Sequence, residues 1–129
     1  MTALIEIVAA VIRDDRGRYL LVRKHGTAAF MQPGGKREAG EDDLAALARE
    51  LDEELGLTII AGSARRLGIF RASAANESGR EVLASVYAVA VAGQAVPRAE
   101  IAELLWLDPQ DPPPVVVAPL TRNHILGRR

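Results

Sequence analysis

Residues 35–57 read GKREAGEDDLAALARELDEELGL, and this stretch decides how the rest of the chain is interpreted. Asp42 or Asp43 can cap a helix, and the acidic residues of its first turn favour the helix dipole. Gly56 is typical of a C-terminal stop, so a helix is predicted between these residues. Apolar residues at helical spacing predict one buried stripe, made of Leu44, Leu47, Ala48, Leu51 and Leu55.

Three glutamates of this helix, Glu50, Glu53 and Glu54, have the spacing i, i+3 and i+4, which places them on one side. We expect that side to face away from the leucine stripe and to present its carboxylates outward. Clustered carboxylates repel one another, and a hard divalent cation relieves that repulsion. Oxygen ligands suit Mg²⁺ or Mn²⁺ better than Zn²⁺. A solvated acidic face would explain the glutamates alone. It would not explain Arg49 among them, which can hold carboxylates through forked hydrogen bonds.

The same stretch resembles the Nudix box, G-x5-E-x7-R-E-U-x-E-E-x-G-U, where U is a bulky aliphatic residue. Its fixed identities have a chance probability on the order of 10⁻⁹ per start point. The resemblance implies an α/β/α sandwich with a mixed β-sheet and a loop–helix–loop box, in a single domain over residues 1–129. It also implies hydrolysis of a nucleoside diphosphate linked to another group. Every specified position is filled, by Gly35, Glu41, Arg49, Glu50, Leu51, Glu53, Glu54, Gly56 and Leu57.

The resemblance assigns a metal site to this box. Glu50, Glu53 and Glu54 would bind Mg²⁺, with Mn²⁺ as an alternative, together with the backbone carbonyl of Gly34. Glu50 or Glu53 would be the catalytic base that accepts a proton from a metal-activated water. Arg49 would orient the carboxylates.

Further residues are candidates by their positions around the box. Glu41 would support the loop. Some family members recruit a base from outside the box, for which Glu100 and Glu103 are the candidates here. Arg23 and Lys36 are expected to contact substrate phosphates, with ordinary solvated cations as the alternative.

Three residues are candidates for contacts with the nucleobase of the substrate. Phe30 and Tyr87 could stack on a base, but core packing is favoured for both and for Trp106. Asn123 could read a base edge, although a capping or surface role is more ordinary.

The flanking sequence predicts a mixed α/β domain. A turn at residues 14–17 should join the first two strands in a hairpin, and Pro33, Gly34 and Gly35 predict another turn. The remaining patterns predict strands at 5–13, 19–23, 28–32, 57–61, 67–72, 81–92 and 101–107, a loop at 74–80, a proline-rich turn at 109–114 and a terminal helix at 120–126.

The composition limits the classes of molecule that this protein is expected to bind. With 129 residues, 16 basic and 17 acidic side chains, the net charge of −1 argues against nucleic acid polymers and acidic membranes. A small-molecule nucleotide fits better. No cysteine is present, which excludes disulfides and thiol chemistry and agrees with a cytoplasmic location. Residues 1–8 lack Lys and Arg, so no signal peptide is expected. The sequence is compatible with a homodimer.

Substrate markers of other subfamilies are missing. Residues 72–75 read ASAA, without the proline of some sugar-nucleotide enzymes or the tyrosine of diadenosine polyphosphate enzymes. This favours a (d)NTP pyrophosphohydrolase. The alternatives are an ADP-ribose or sugar-nucleotide pyrophosphatase and a non-catalytic nucleotide-sensing domain. An isoprenoid diphosphate isomerase would require a cysteine.

Overall fold

The computed structural model describes residues 3–111 and 113–126. The predicted turn at 109–114 therefore includes one residue outside the described part. None of the helices within the described ranges is long and apolar enough to cross a membrane. In chain order the elements are β1 (Ala3–Val11), β2 (Tyr19–Lys24), β3 (Gly34–Gly35), α1 (Asp43–Leu55), β4 (Thr58–Ile59), β5 (Arg65–Ser73), β6 (Arg80–Ala88), β7 (Val91–Ala92), β8 (Ile101–Leu107) and a π-helical turn (Thr121–Ile125).

Four strands form a mixed sheet in the order β3-β1-β6-β5. β1 and β6 are parallel, whereas β3 and β5 pair antiparallel with their neighbours. Two smaller antiparallel pairs, β2–β8 and β4–β7, complete the strands. The predicted α/β fold with a mixed sheet is confirmed.

Both faces of the sheet are covered, and alternate side chains of β1 pack into a different core on each face. Val8 and Ala10 pack with the leucines of α1, whereas Ala9 and Val11 pack with Leu120 and the π-helical turn. A third cluster joins β2 and β8 and contains Leu21, Phe30, Leu107 and Val117.

The helix caps were predicted correctly, but the apolar stripe was partly wrong. The Asp42 carboxylate accepts a hydrogen bond from the Ala45 N–H at 2.8 Å, and Gly56 ends the helix with φ of 69°. Leu44 is 41% exposed and Ala48 is also exposed. Residues 47, 51, 54 and 55 lie within an arc of roughly 100° on a helix, so the buried face includes a carboxylate. The buried residues of α1 are Ala46, Leu47, Leu51, Glu54 and Leu55.

The predicted hairpin is incomplete. The turn at residues 14–17 forms and Arg13 bridges Tyr19. However, β1 belongs to the mixed sheet, whereas β2 pairs with β8. Residues 28–32 make only single bridges, and the predicted strand at 81–92 is split into β6 and β7.

Gly34 and Gly35 form a short strand beside β1 rather than a turn. A Cβ on Gly34, which has φ of 149°, would lie 2.1 Å from the Val8 carbonyl oxygen. The double glycine therefore permits close approach of two backbones.

Candidate functional site

A cavity of about 410 Å³ opens where β1, β3 and α1 meet. Glu50 and Glu54 of the helix line it, as do Gly34, Gly35 and Lys36 of the preceding loop. Apolar side chains of β1, β2 and β6 supply other parts of its wall. The cavity thus combines carboxylates and a cation with apolar surface, which is typical of a small-molecule site.

Arg49 connects the loop to the helix. Its Nε and Nη2 donate to the two carboxylate oxygens of Glu41 at 2.8 and 3.0 Å. Its Nη1 donates to Glu50 at 2.8 Å and to Glu53 at 3.3 Å, and Nη2 also donates to the Lys36 carbonyl at 3.0 Å. These contacts fit the predicted orienting role, because one planar guanidinium ties three carboxylates to the loop.

Gly35 leaves room for a carboxylate. A Cβ at this position would lie 2.7 Å from the carboxyl carbon of Glu50. The absence of that atom lets the side chain of Glu50 lie directly against the loop, where it borders the cavity.

Glu54 faces inward, contrary to the prediction that all three glutamates point away from the core. It is 4% exposed, and its Oε1 accepts the Gly34 N–H at 3.3 Å. Burial, followed by repulsion from Glu50, raises the pKa of Glu54 to about 8, although the Gly34 N–H and Lys24 oppose that shift. The metal-free site therefore holds this carboxyl mainly protonated at neutral pH.

Glu53 is more exposed than the other two carboxyls of the predicted metal set. Its side chain is 53% exposed and contacts Arg49. In residues 3–111 and 113–126, no three His, Cys, Asp or Glu side chains are grouped closely enough to enclose a metal ion. The role of Glu53 as a ligand stays a prediction.

The charged residues of β2 and the β8 region, outside the box, differ in whether they line the cavity. Arg23 and Glu103 face each other across β2 and β8 and form an ion pair, with Arg23 Nη2 2.7 Å from Glu103 Oε1. Neither residue lines the cavity, whereas Lys24 and Glu100 both do. A shift in strand register between Arg23 and Lys24 accompanies this difference. The predicted phosphate contact by Arg23 stays a prediction.

The aromatic candidates contribute to packing. Phe30 is buried in the third core cluster, Trp106 packs against the first, and the Tyr87 hydroxyl donates to Asp43 at 2.7 Å. Asn123 is exposed and does not line the cavity. These placements agree with the ordinary structural roles favoured by the sequence.

Sequence reasoning missed several residues of the cavity wall. Lys24, Gln32 and Thr121 were not identified as candidates, although all three line the cavity and the last two are buried. The loop at 73–77, which contains Asn76, also borders it. A polar residue two positions before the double glycine was the one available signal for Gln32.

Comparison with known proteins agrees with this geometry. The family model for the NUDIX domain matches residues 4–125. The chain belongs to the Nudix family. This confirms the resemblance drawn from residues 35–57, although the match does not test the single-domain boundaries at 1–129.

Solved structures of other proteins share the fold. The MutT NUDIX hydrolase from Burkholderia pseudomallei superposes with a TM-score of 0.74 at 26% identity, covering 88% of this chain and 90% of that one. The E. coli ORF135 protein is 31% identical with a TM-score of 0.65, covering 84% and 76%.

Two curated relatives match shorter stretches. The 8-oxo-dGTP diphosphatase of Haemophilus influenzae is 38% identical over 61 residues, which are 44% of this chain and 45% of that protein. The RNA pyrophosphohydrolase of Halorhodospira halophila is 41% identical over 63 residues, 46% of this chain and 35% of that protein. The matched part of the chain thus spans less than half the length of either relative.

Proposed function

We propose that this Nudix protein is a divalent-metal-dependent pyrophosphohydrolase of ribo- or deoxyribonucleoside triphosphates, with Mg²⁺ as the expected ion. One observation carries the proposal: a cavity of about 410 Å³ places Glu50 and Glu54 beside Lys24 and Lys36. The relative named as an 8-oxo-dGTP diphosphatase supports a triphosphate substrate, and the MutT NUDIX hydrolase of similar fold supports hydrolysis.

The donor atoms fit a hard cation. Oxygen ligands would come from Glu50, Glu54 and the Gly34 carbonyl. Glu53 would become a further ligand once its carboxylate no longer accepts a hydrogen bond from Arg49. Because Gly34 and Gly35 lack a Cβ atom, the loop can lie close to β1 and to the Glu50 carboxylate. When bound, the cation offsets charge on the phosphate oxygens and acidifies water.

The chain's own residues would complete the chemistry. Lys24 and Lys36 would bind phosphate oxygens, and Arg23 stays a predicted contact. Glu50 would act as the base, and Arg49 would fix its direction; Glu53 is the other box candidate predicted from the sequence.

Glu100 is the better of the two bases proposed from outside the box, because it lines the cavity and Glu103 does not. The predicted partner is a small-molecule nucleotide. The cytoplasmic compartment and a homodimer also stay predictions.

Turnover of a nucleotide panel tests the proposal. Purified protein with Mg²⁺ should release pyrophosphate and a nucleoside monophosphate from triphosphates, and Glu50→Gln should reduce the rate at least a hundredfold. Glu81→Gln is a matched control, since Glu81 pairs with Arg71 at the surface and does not line this cavity. Cleavage of ADP-ribose or sugar nucleotides in place of triphosphates would support the alternative enzyme. Binding of nucleotides without any turnover would support the sensing domain.

A further inference from the structure

Two buried polar side chains form part of the cavity wall. Gln32 is 6% exposed and Thr121 is fully buried, and both line the cavity. They are 89 positions apart in the chain, and the Thr121 hydroxyl lies 3.1 Å from Gln32 Oε1. Burial of polar groups costs free energy unless they are hydrogen-bonded, so this pair is a constrained feature of the wall.

The direction of the Gln32 amide is fixed by its neighbours. Its Nε2 donates to the backbone carbonyl of Ala10 at 3.0 Å. A backbone carbonyl only accepts, so the amide corner beside Ala10 must be the NH₂ group. The other corner is then the amide oxygen, and the Thr121 hydroxyl donates to it.

This arrangement leaves hydrogen-bonding capacity on Gln32. An amide has two N–H donors and two acceptor sites on its oxygen, and the two contacts use one of each. One donor and one acceptor therefore remain on the planar amide of a residue that lines the cavity. Nucleobase edges present the complementary pair, as in the bidentate contact of glutamine with adenine. Phosphate oxygens only accept, so a phosphate would leave the free acceptor of Gln32 unpaired.

We propose that Gln32, held in one orientation by Ala10 and Thr121, binds a donor–acceptor edge of the substrate's nucleobase and contributes to base specificity. This inference rests on the proposed function, because it takes the substrate to be a nucleotide. It assigns the base to the wall formed by Gln32 and Thr121, which residues 35–57 do not include.

The test compares substrates with and without a base. Gln32→Met keeps the side-chain length and removes the amide, and we expect kcat/KM for nucleoside triphosphates to fall roughly ten- to a hundredfold. Ribose 5-triphosphate, which lacks a base, should be cleaved by wild type and variant at equal rates. Thr121→Val should give a smaller loss confined to base-bearing substrates, and Thr121→Ser should restore the wild-type value.

Two further measurements keep the outcome interpretable. Gln94→Met makes the same substitution at an exposed glutamine and should change nothing. Calorimetric binding of nucleoside monophosphates needs no turnover, so Gln32→Met should weaken it by a similar factor even if wild type proved inactive. Inactivity with every nucleotide would overturn the proposed function alone.

An equal loss for base-bearing and base-free substrates, or no loss for either, would overturn the role of Gln32. If Gln32→Met did not fold, the comparison of Thr121→Val with Thr121→Ser would decide.

Discussion

Arg49 holds Glu41 with two parallel hydrogen bonds, from Nε to Oε2 at 2.8 Å and from Nη2 to Oε1 at 3.0 Å. The same guanidinium donates to Glu50 at 2.8 Å. The hydrogen bond with Glu41, joined by contacts with Glu50, raises the pKa of Arg49, so this cation is permanently charged. The loop and the proposed catalytic carboxylate are therefore positioned by one planar group.

Arg49→Lys tests that positioning. Lysine keeps the charge but cannot make the forked contact with Glu41 while also reaching Glu50. We expect kcat to fall roughly ten- to a hundredfold, the usual effect of losing a group that orients a metal ligand, with KM changed less than about threefold. Steady-state kinetics measure both values. Arg18→Lys is the control, since Arg18 makes a comparable pair with Asp14 in a distant turn. A kinetically silent Arg49→Lys variant would show that the orienting role is wrong.

Glu54→Gln should separate stability from activity. The folded protein raises the pKa of Glu54 from the ordinary 4.5 to about 8, chiefly through burial. The protonated form is favoured by folding, so stability falls as pH rises from about 4.5 through 8. A neutral amide removes this loss. In metal-free protein at pH 9, Glu54→Gln should melt roughly 3–10 °C above wild type, and the difference should vanish near pH 4.

The matched variant is Glu53→Gln, at an adjacent but 53% exposed side chain. Its melting temperature should follow that of wild type at every pH. Both variants should lose most turnover at limiting Mg²⁺. Full activity of both would contradict the metal site, and an unchanged melting curve for Glu54→Gln at pH 9 would contradict the buried protonated carboxyl.

The stability contributed by Glu41 should depend on pH in the opposite direction to that of Glu54. Its hydrogen bond with Arg49, followed by one from the Glu38 N–H, lowers the pKa of Glu41 below the ordinary 4.5. The stabilisation is therefore fully present above pH 4.5 and is lost as pH falls through the lower folded value. Glu41→Gln should melt below wild type at pH 7, and the two curves should converge in acid. Differential scanning calorimetry from pH 2 to 8 would reveal a constant gap if the pairing with Arg49 contributes no charge-dependent stability.

Ala99 carries backbone strain next to the cavity. It has φ of 53°, in the left-handed region that residues with a Cβ rarely adopt. It precedes Glu100, whose carbonyl accepts a hydrogen bond from the His25 N–H at 2.9 Å. Ala99→Gly should relieve the strain and stabilise the fold by about 0.5–1 kcal/mol, after the larger chain entropy of glycine is subtracted. Urea unfolding measures this change, and Ala74→Gly, at a residue without positive φ, should destabilise instead.

Local features of the site were predictable from the sequence, and non-local ones were not. The caps Asp42 and Gly56 depend on neighbours within one helical turn, and they were predicted correctly. The burial of Glu54 depends on where the sheet packs against α1, which spacing alone does not reveal. The contact between Gln32 and Thr121 joins residues 89 positions apart, so no local pattern announces it.

Whether Arg23 or Lys24 lines the cavity also depends on contacts that are distant in the chain. Arg23 pairs with Glu103 and does not line the cavity. Lys24 follows the register shift, pairs with Ile101 and lines the cavity. Strand register is set by pairing with β8, about 80 residues away in the chain.

We expect the lysines of the cavity to bind the phosphates and the wall at Gln32 to bind the nucleobase. Lys24 and Lys36 line the cavity, so Lys24→Ala and Lys36→Ala should lower kcat/KM by a similar factor, roughly tenfold, for all nucleoside triphosphates. Arg23 donates to Glu103 and to the Thr27 carbonyl, and Arg23→Ala should cost less than about threefold. The sequence-based role of Arg23 instead requires a loss equal to that of Lys24→Ala.

Across the common bases we expect preferences within roughly a hundredfold. Much of the cavity wall is apolar, and such surfaces discriminate between related groups by only about 1–3 kcal/mol. The single amide of Gln32 adds a modest term to this. Values of kcat/KM for the full panel, measured with wild type and the three cation variants, decide the question. Preference for one nucleotide by more than about ten-thousandfold would show that hydrogen-bonded base readout dominates, because only buried polar groups aimed at one base reach that ratio.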